Sequence, residues 1–243
     1  MSIQPVDPSI ALLKAYEMDK SNEELTREYG VSDIVKLASN ENPMGCSPYV
    51  TLAITSKLHE LSRYPDGAGQ GLKAAIADFY GAASEQVILG NGSNELLKII
   101  VNTFLDQQDT LIYSQYALSD YELASLAVTE VAIQVPAKQF GHDLAAMLHT
   151  LRTTPTAKLV LITNPNNPTG TLLTLEEIIA FIKEVPPQVL VVIDEAYIEF
   201  SKEVSAVSLL AKYPNLIVLK TLSKAYGMAG LRIGVGFASP EIA

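Results

Sequence analysis

VLVVID, residues 189–194, is the stretch whose reading decides the fold: five consecutive apolar residues closed by a carboxylate. A strand with one solvated face alternates apolar and polar positions, whereas an unbroken apolar run needs cover on both faces, as in parallel sheets between helices. KLVLIT at 158–163 and LIVL at 216–219 have the same character, and each runs into a polar segment, NPNNPTG at 164–170 and KTLSKAYG at 220–227. Between them Thr174, Leu175, Glu176 and Glu177 form a capping box, which opens a helix expected to reach about residue 184. Toward the N-terminus, strands are expected at 86–89, 110–113 and 131–135, and helices at 95–105 and 118–127. The alternation gives an α/β class: a mainly parallel sheet between helical layers, an α/β/α sandwich.

Further upstream the signals are local. Leu72, Ala75, Ile76, Phe79 and Tyr80 recur at helical intervals after the loop Arg63-Tyr64-Pro65-Asp66-Gly67. Asn40, Glu41, Asn42, Pro43 and Gly45 make residues 33–48 a loop, and residues 22–29 a short helix stopped by Gly30. An N-terminal arm is expected over 1–35 and one large domain over 36–243.

Composition narrows the function classes. The chain has 243 residues, 48% of them apolar, enough to fill a sizeable core. A net charge of -10, with no cluster of Lys and Arg, argues against a nucleic-acid surface. The single cysteine, Cys46, leaves no intramolecular disulfide and has no neighbours at metal-ligand spacing, which fits a reducing cytoplasm. Residues 1–20 carry Asp7, Glu17 and Asp19 and do not read as a secretory signal. No apolar run approaches the ~20 residues a membrane-spanning helix needs.

In open α/β sheets ligands bind beyond the carboxyl ends of the strands, so the polar residues that close successive strands are read together. Gly90, Gly92, Ser93 and Asn94 put flexible backbone and a hydroxyl at a helix start, where unpaired N–H groups attract an anion such as phosphate; a plain turn is the competing reading. Asp194 is either a cap or ion-pair partner, or a carboxylate holding a cationic ring nitrogen, with the phenol of Tyr197 close behind it. Asn167 lies in a loop stiffened by prolines, and its amide suits a phenolate oxygen. Tyr116 is a core aromatic or a platform for a planar ring, and Tyr64 offers a phenol to a phosphate, in this subunit or a partner. Lys224 follows an apolar run and Ser223; burial there would penalise its ammonium and make it a candidate nucleophile. Lys220 competes for that role but lacks the small neighbours Ala225, Gly227, Ala229 and Gly230 that admit a bulky cofactor. Arg232 is a surface arginine or a phosphate ligand. Together these residues match the needs of pyridoxal phosphate: Asp194 for the pyridine nitrogen, Asn167 and Tyr197 for the ring oxygen, Ser93, Ser223 and Arg232 for the phosphate, and Lys224 for the covalent bond.

Six segments carry a family resemblance: KLASNENPMGCSP (36–48), RYPDGAG (63–69), LGNGSNELL (89–97), NPNNPTG (164–170), VVIDEAYIEF (191–200) and TLSKAYGMAGLRIGVG (221–236). With them the chain resembles the fold type I pyridoxal-phosphate aminotransferases, and through SNENP, RYPDG and GNGSNE the histidinol-phosphate aminotransferases among them. The resemblance implies a homodimer that exchanges an amino group between L-histidinol phosphate and 2-oxoglutarate, forming glutamate. It implies that Gly92, Ser93 and Asn94 belong to the phosphate turn, that Lys224 also moves the proton, that Tyr116 stacks on the ring, and that Tyr64 contacts the phosphate held by the other subunit. Residues 15–19 depart from the Tyr-x-Pro-Gly pattern often found there. Family members continue past the position of Ala243 into a small domain with a carboxylate-binding arginine, so this chain is expected to be a fragment without that domain. Two rival expectations are a pyridoxal-phosphate lyase of the phosphothreonine decarboxylase type and a non-catalytic cofactor-binding fragment.

Overall fold

The computed structural model describes residues 20–117, 129 and 131–243, so the helix expected at 118–127 lies outside the described residues. Seven strands form one sheet: β1 (Val87–Gly90), β2 (Thr110–Ser114), β3 (Val131–Val135), β4 (Ala157–Thr163), β5 (Leu190–Asp194), β6 (Leu216–Thr221) and β7 (Gly234–Phe237), in the spatial order β1-β7-β6-β5-β4-β2-β3. The pairings from β3 through β6 are parallel, and β7 runs antiparallel to both β6 and β1. Every residue of β2, β5 and β6 is buried, as the unbroken apolar runs demand.

The described helices are α1 (Asn22–Tyr29), α2 (Pro48–Lys57), α3 (Gln70–Tyr80), α4 (Ser93–Phe104), α5 (Leu144–Thr153) and α6 (Leu175–Glu184). Two apolar layers sandwich the sheet. Leu96, Leu97, Ile100 and Val101 of α4 pack with Ile217 and Leu219 on one face. Ile76 of α3, Met147 and Leu151 of α5, and Phe181 of α6 pack with Val191, Ile193 and Val218 on the other. Adjacent residues of β5 and β6 therefore feed opposite layers, the period-two consequence of strand geometry. The capping box forms as expected, with Thr174 Oγ1 accepting from Glu177 N and Glu177 Oε2 from Thr174 N.

Three features differ from the sequence reading. Helix α3 exists where expected, yet Leu72 and Phe79 are exposed and its fully buried residues are Ile76 and Ala77. Helices α2 and α5 were not anticipated; each is opened by a side-chain cap, from Ser47 and Asp143 respectively. Strand β7 was not anticipated either, because Gly234-Val235-Gly236-Phe237 alternates glycine with apolar residues and carries only a weak strand signal. Gly234 is there because the backbone turn after β1 lies against it: a Cβ at Gly234 would stand 2.2 Å from the Gly92 carbonyl carbon and 2.4 Å from Ser93 N. Neither contact is with a flexible side chain, so relief requires the strand or the turn to move.

No described helix is long and apolar enough to cross a membrane. Gly234→Ala should force β7 away from the residue 90–93 turn, costing about 1–3 kcal/mol as overpacking does. Thermal unfolding should then show the midpoint lowered by about 5 °C for a chain of this size; an unchanged midpoint would contradict the backbone contact.

Candidate active site

The carboxyl ends of β4, β5 and β6 are level, since Thr163 pairs with Asp194 and Asp194 with Leu219. A cleft of about 560 Å³ opens above them, within the range usual for small-molecule sites. Ser93, Asn94, Asn167, Asp194, Tyr197, Ser223, Lys224 and Arg232 all line it. Eight of the eleven candidate residues thus converge from four separate strand ends. Gly92 stands immediately behind, as the N-terminal cap of α4. Tyr116 and Tyr64 do not line the cleft. The Tyr116 ring lies 5.9 Å from that of Phe140 and is 41% exposed, and Tyr64 is fully exposed at 102%.

Each wall has a local cause. Asp194, buried at the end of β5, accepts a hydrogen bond at Oδ1 from the Ala196 amide at 2.9 Å, which turns the chain so that Tyr197 faces the same space. The loop after β4 is closed on itself. Asn164 Nδ2 donates to Leu173 O at 3.0 Å, and Asn164 Oδ1 accepts from Leu173 N at 2.8 Å. Asn166 Nδ2 donates to Thr169 Oγ1 at 2.7 Å, so Asn167 projects from a braced turn. After β6, Thr221 Oγ1 donates to Ser223 Oγ at 2.9 Å and accepts from the Ser223 amide at 3.1 Å.

One end of the cleft is built for an anion. α4 begins at Ser93 without a side-chain cap hydrogen bond, and Ser93 and Asn94 in its first turn line the cleft. The Arg232 guanidinium lies beside that turn, donating from Nη1 to Ser223 Oγ at 3.4 Å and to Ala229 O at 3.2 Å. Among the described residues it has no carboxylate within ion-pairing distance. A Cβ at Gly92 would lie 2.2 Å from Arg232 Nη2, so only glycine lets the arginine close on the turn. Hydroxyls, a helix N-terminus and an uncompensated guanidinium fit the phosphate of pyridoxal phosphate.

Lys224 sits at the other end. It lies beyond the last residue of β6, half-buried, with Nζ donating to the Ser39 carbonyl at 2.6 Å and standing 5.7 Å from the centre of the Tyr197 ring. The expectation that strand-end burial penalises its ammonium is corrected here: the deeply buried lysine is Lys220, inside β6. Lys220 Nζ lies 3.2 Å from Glu195 Oε2 and 2.9 Å from Glu199 Oε1, so it is a compensated core ammonium outside the cleft. Small neighbours favoured Lys224 as the nucleophile; the ion pairs of Lys220 favour it for a second, independent reason.

Local turn chemistry marks the segment around Ser39 as a loop, and in the structure it forms the fourth wall. Asn40 Nδ2 donates to Tyr197 Oη at 3.1 Å, and Asn42 Nδ2 to the Ala225 carbonyl at 3.0 Å. Nothing local in the sequence pairs Asn40 with Tyr197 or Asn42 with Ala225. His142 was also missed. Its Nε2–H donates to the Thr163 carbonyl at 2.8 Å, at the strand end that lines the cleft. Its Nδ1 is buried without a partner among the described residues, and burial holds its pKa below the usual 6.5. Burial also pushes the Tyr80 phenol and the Glu195 carboxyl above their ordinary values, with Lys220 pulling Glu195 back.

A mainly parallel sheet with a polar cleft at its carboxyl edge is the arrangement of ligand-binding α/β proteins. The family model for "Aminotransferase class I and II" matches residues 32–243, and the chain belongs to that family. It is 50% identical over 243 residues to histidinol-phosphate aminotransferase 1 of Psychrobacter arcticus, covering 100% of this chain and 64% of that protein. It is 50% identical over 234 residues to histidinol-phosphate aminotransferase 2 of Haemophilus influenzae, covering 95% and 63%. Its fold matches the crystal structure of histidinol-phosphate aminotransferase from Sinorhizobium meliloti in complex with pyridoxal-5'-phosphate, with a TM-score of 0.90 at 28% identity, over 99% of this chain and 65% of that one. The chain therefore spans slightly less than two thirds of these relatives.

The neutral state of His142 gives a pH signature. Its pKa is lower in the folded than in the unfolded protein, so the stabilisation is full above 6.5 and is lost as pH falls toward the folded value. Denaturant titrations between pH 7.5 and about 5 should show unfolding free energy declining below about 6.5, and His142→Asn should remove that part of the slope. An unchanged slope in the variant would mean His142 is protonated without penalty.

Proposed function

We propose that this chain is the cofactor-binding part of a pyridoxal-phosphate aminotransferase that exchanges an amino group between L-histidinol phosphate and 2-oxoglutarate. The observation that carries the reading is the placement of Lys224 in one cleft with Asp194, Asn167, Tyr197 and the Arg232–Ser223 anion cradle. Relatives at 50% identity named for histidinol phosphate support the substrate. We assign residues 36–243 to the cofactor-binding domain and residues 1–35 to an arm.

Pyridoxal phosphate, when bound, supplies an electron-withdrawing ring that lets a substrate C–H bond be broken. The Asp194 carboxylate holds the proton on the ring nitrogen, and burial strengthens that interaction. Asn167 and Tyr197 would donate to the ring oxygen. Ser93, Asn94, Ser223, Arg232 and the N-terminus of α4 would hold the phosphate. With the cofactor in place, Lys224 Nζ would be its covalent attachment point and the base that moves a proton at the substrate carbon.

The functional unit is a homodimer in the cytoplasm. Exposed apolar side chains concentrate in one part of the chain: Leu37 (86%), Met44 (89%), Tyr49 (81%), Leu61 (79%) and Tyr64 (102%). Helix α2, between them, buries no residue at all. A second copy is the occupant that would cover these side chains while delivering its Tyr64 to the neighbouring phosphate; Tyr116 would stack on the cofactor ring.

Borohydride reduction of the cofactor-loaded protein should fix one cofactor on Lys224, and Lys224→Ala should abolish the mark and the turnover. A mark on Lys220 instead, or carbon dioxide release in place of oxo-acid consumption, would sink the assignment. Sedimentation should report a dimer, and Leu61→Asp with Tyr49→Asp should shift it to monomer; a stable wild-type monomer would remove Tyr64 from the site.

A further inference from the structure

Beneath the cleft, on the face of β6 turned away from it, lies a charged cluster that the proposed chemistry does not use. The Lys220 side chain is 2% exposed. Its Nζ meets Glu195 Oε2 at 3.2 Å and Glu199 Oε1 at 2.9 Å, and lies 4.9 Å from the centre of the Tyr80 ring. Glu195 is anchored in turn, accepting at Oε1 from the Ala206 amide at 2.7 Å and at Oε2 from Ser205 Oγ at 2.5 Å. Glu199 Oε1 also accepts from Tyr80 Oη at 3.3 Å, and Tyr80 Oη pairs with Tyr226 Oη at 3.2 Å.

The chain positions give the cluster its meaning. Glu195 follows Asp194 directly, and Glu195 and Glu199 flank Tyr197 in sequence. Tyr226 is two residues beyond Lys224, in a turn where Gly227 N donates to Lys224 O at 3.1 Å and Met228 N to Leu222 O at 3.0 Å. One buried ammonium and the two phenols therefore tie the segment that carries Asp194 and Tyr197 to the turn that carries Lys224. Apolar side chains would fill this volume with less desolvation, and buried ion pairs are poor devices for stability alone. What hydrogen-bonded groups add is direction, because they hold angles as well as contact.

We infer that Tyr80 and Tyr226 are positioning residues: through Glu199 and Lys220 they brace the Lys224 turn against the Asp194–Tyr197 segment and so set the separation of Lys224 from the cofactor ring. The inference rests on the cofactor reading above. Neither phenol touches substrate; they act through the turn.

The test compares Tyr226→Phe, Tyr80→Phe and the double variant with wild type, since each change keeps the ring and removes only the hydroxyl. In cofactor-free protein, amide exchange of the peptide covering 222–230 should quicken about tenfold while peptides of β4 and β5 stay unchanged, the mark of local opening. In loaded protein, kcat should fall about tenfold with KM nearly constant, and the pH midpoint of the cofactor's absorbance change should move. The double variant should match the singles, because the hydroxyls act as one link. Uniform acceleration of exchange across all peptides with kcat intact would show ordinary stability loss and overturn the inference, as would wild-type exchange and midpoint in both singles. If wild-type protein takes no cofactor on Lys224, the cofactor reading fails, and the exchange comparison still decides whether the brace exists.

Discussion

The parallel register among β4, β5 and β6 underlies every other feature of the structure. Thr163, Asp194 and Leu219 stand side by side, so three chain segments leave the sheet at one level and turn their polar residues into one space. That register is held by burial on both faces, because a slip of one residue would exchange the side chains of Val191 and Val192 between two different apolar layers. The cleft is thus a consequence of strand packing, and the side chains that line it inherit the rigidity of the core.

Electrostatics then sorts the cationic groups that the sheet brings near. Lys220 and Arg232 are close in sequence and opposite in circumstance. Lys220 points to the face where Glu195 and Glu199 compensate it, and is locked in the core. Arg232, in a left-handed turn, faces only hydroxyl and carbonyl oxygens among the groups it bonds, and keeps an unmet preference for an anion. Lys224 lies between these extremes, donating to a backbone carbonyl that costs little to replace.

Glycine placement joins β7 to the turn after β1 at one edge of the sheet. Gly234 lets β7 pass against the turn after β1, and Gly92 in that turn lets the Arg232 guanidinium close on it. The antiparallel strand that the sequence reading passed over is the element that holds the anion end of the cleft together.

Much was legible in one dimension. The apolar runs at 158–163, 189–193 and 216–219 announce doubly covered strands, and the rule that ligands gather at their carboxyl ends selects Asp194, Asn167, Ser223 and Lys224 without any coordinates. These are properties of periodicity and of residue type, which the chain carries locally. What the tertiary structure alone decided was which distant residues share a neighbour: Ser39 with Lys224, Asn40 with Tyr197, His142 with Thr163, and Lys220 with a pair of glutamates. The burial of Lys220 and the half-exposure of Lys224 belong here too. Hydrogen bonds and ion pairs between segments far apart in sequence leave no periodic trace, because their energy depends on distance in space, and that distance is fixed only when the sheet has closed.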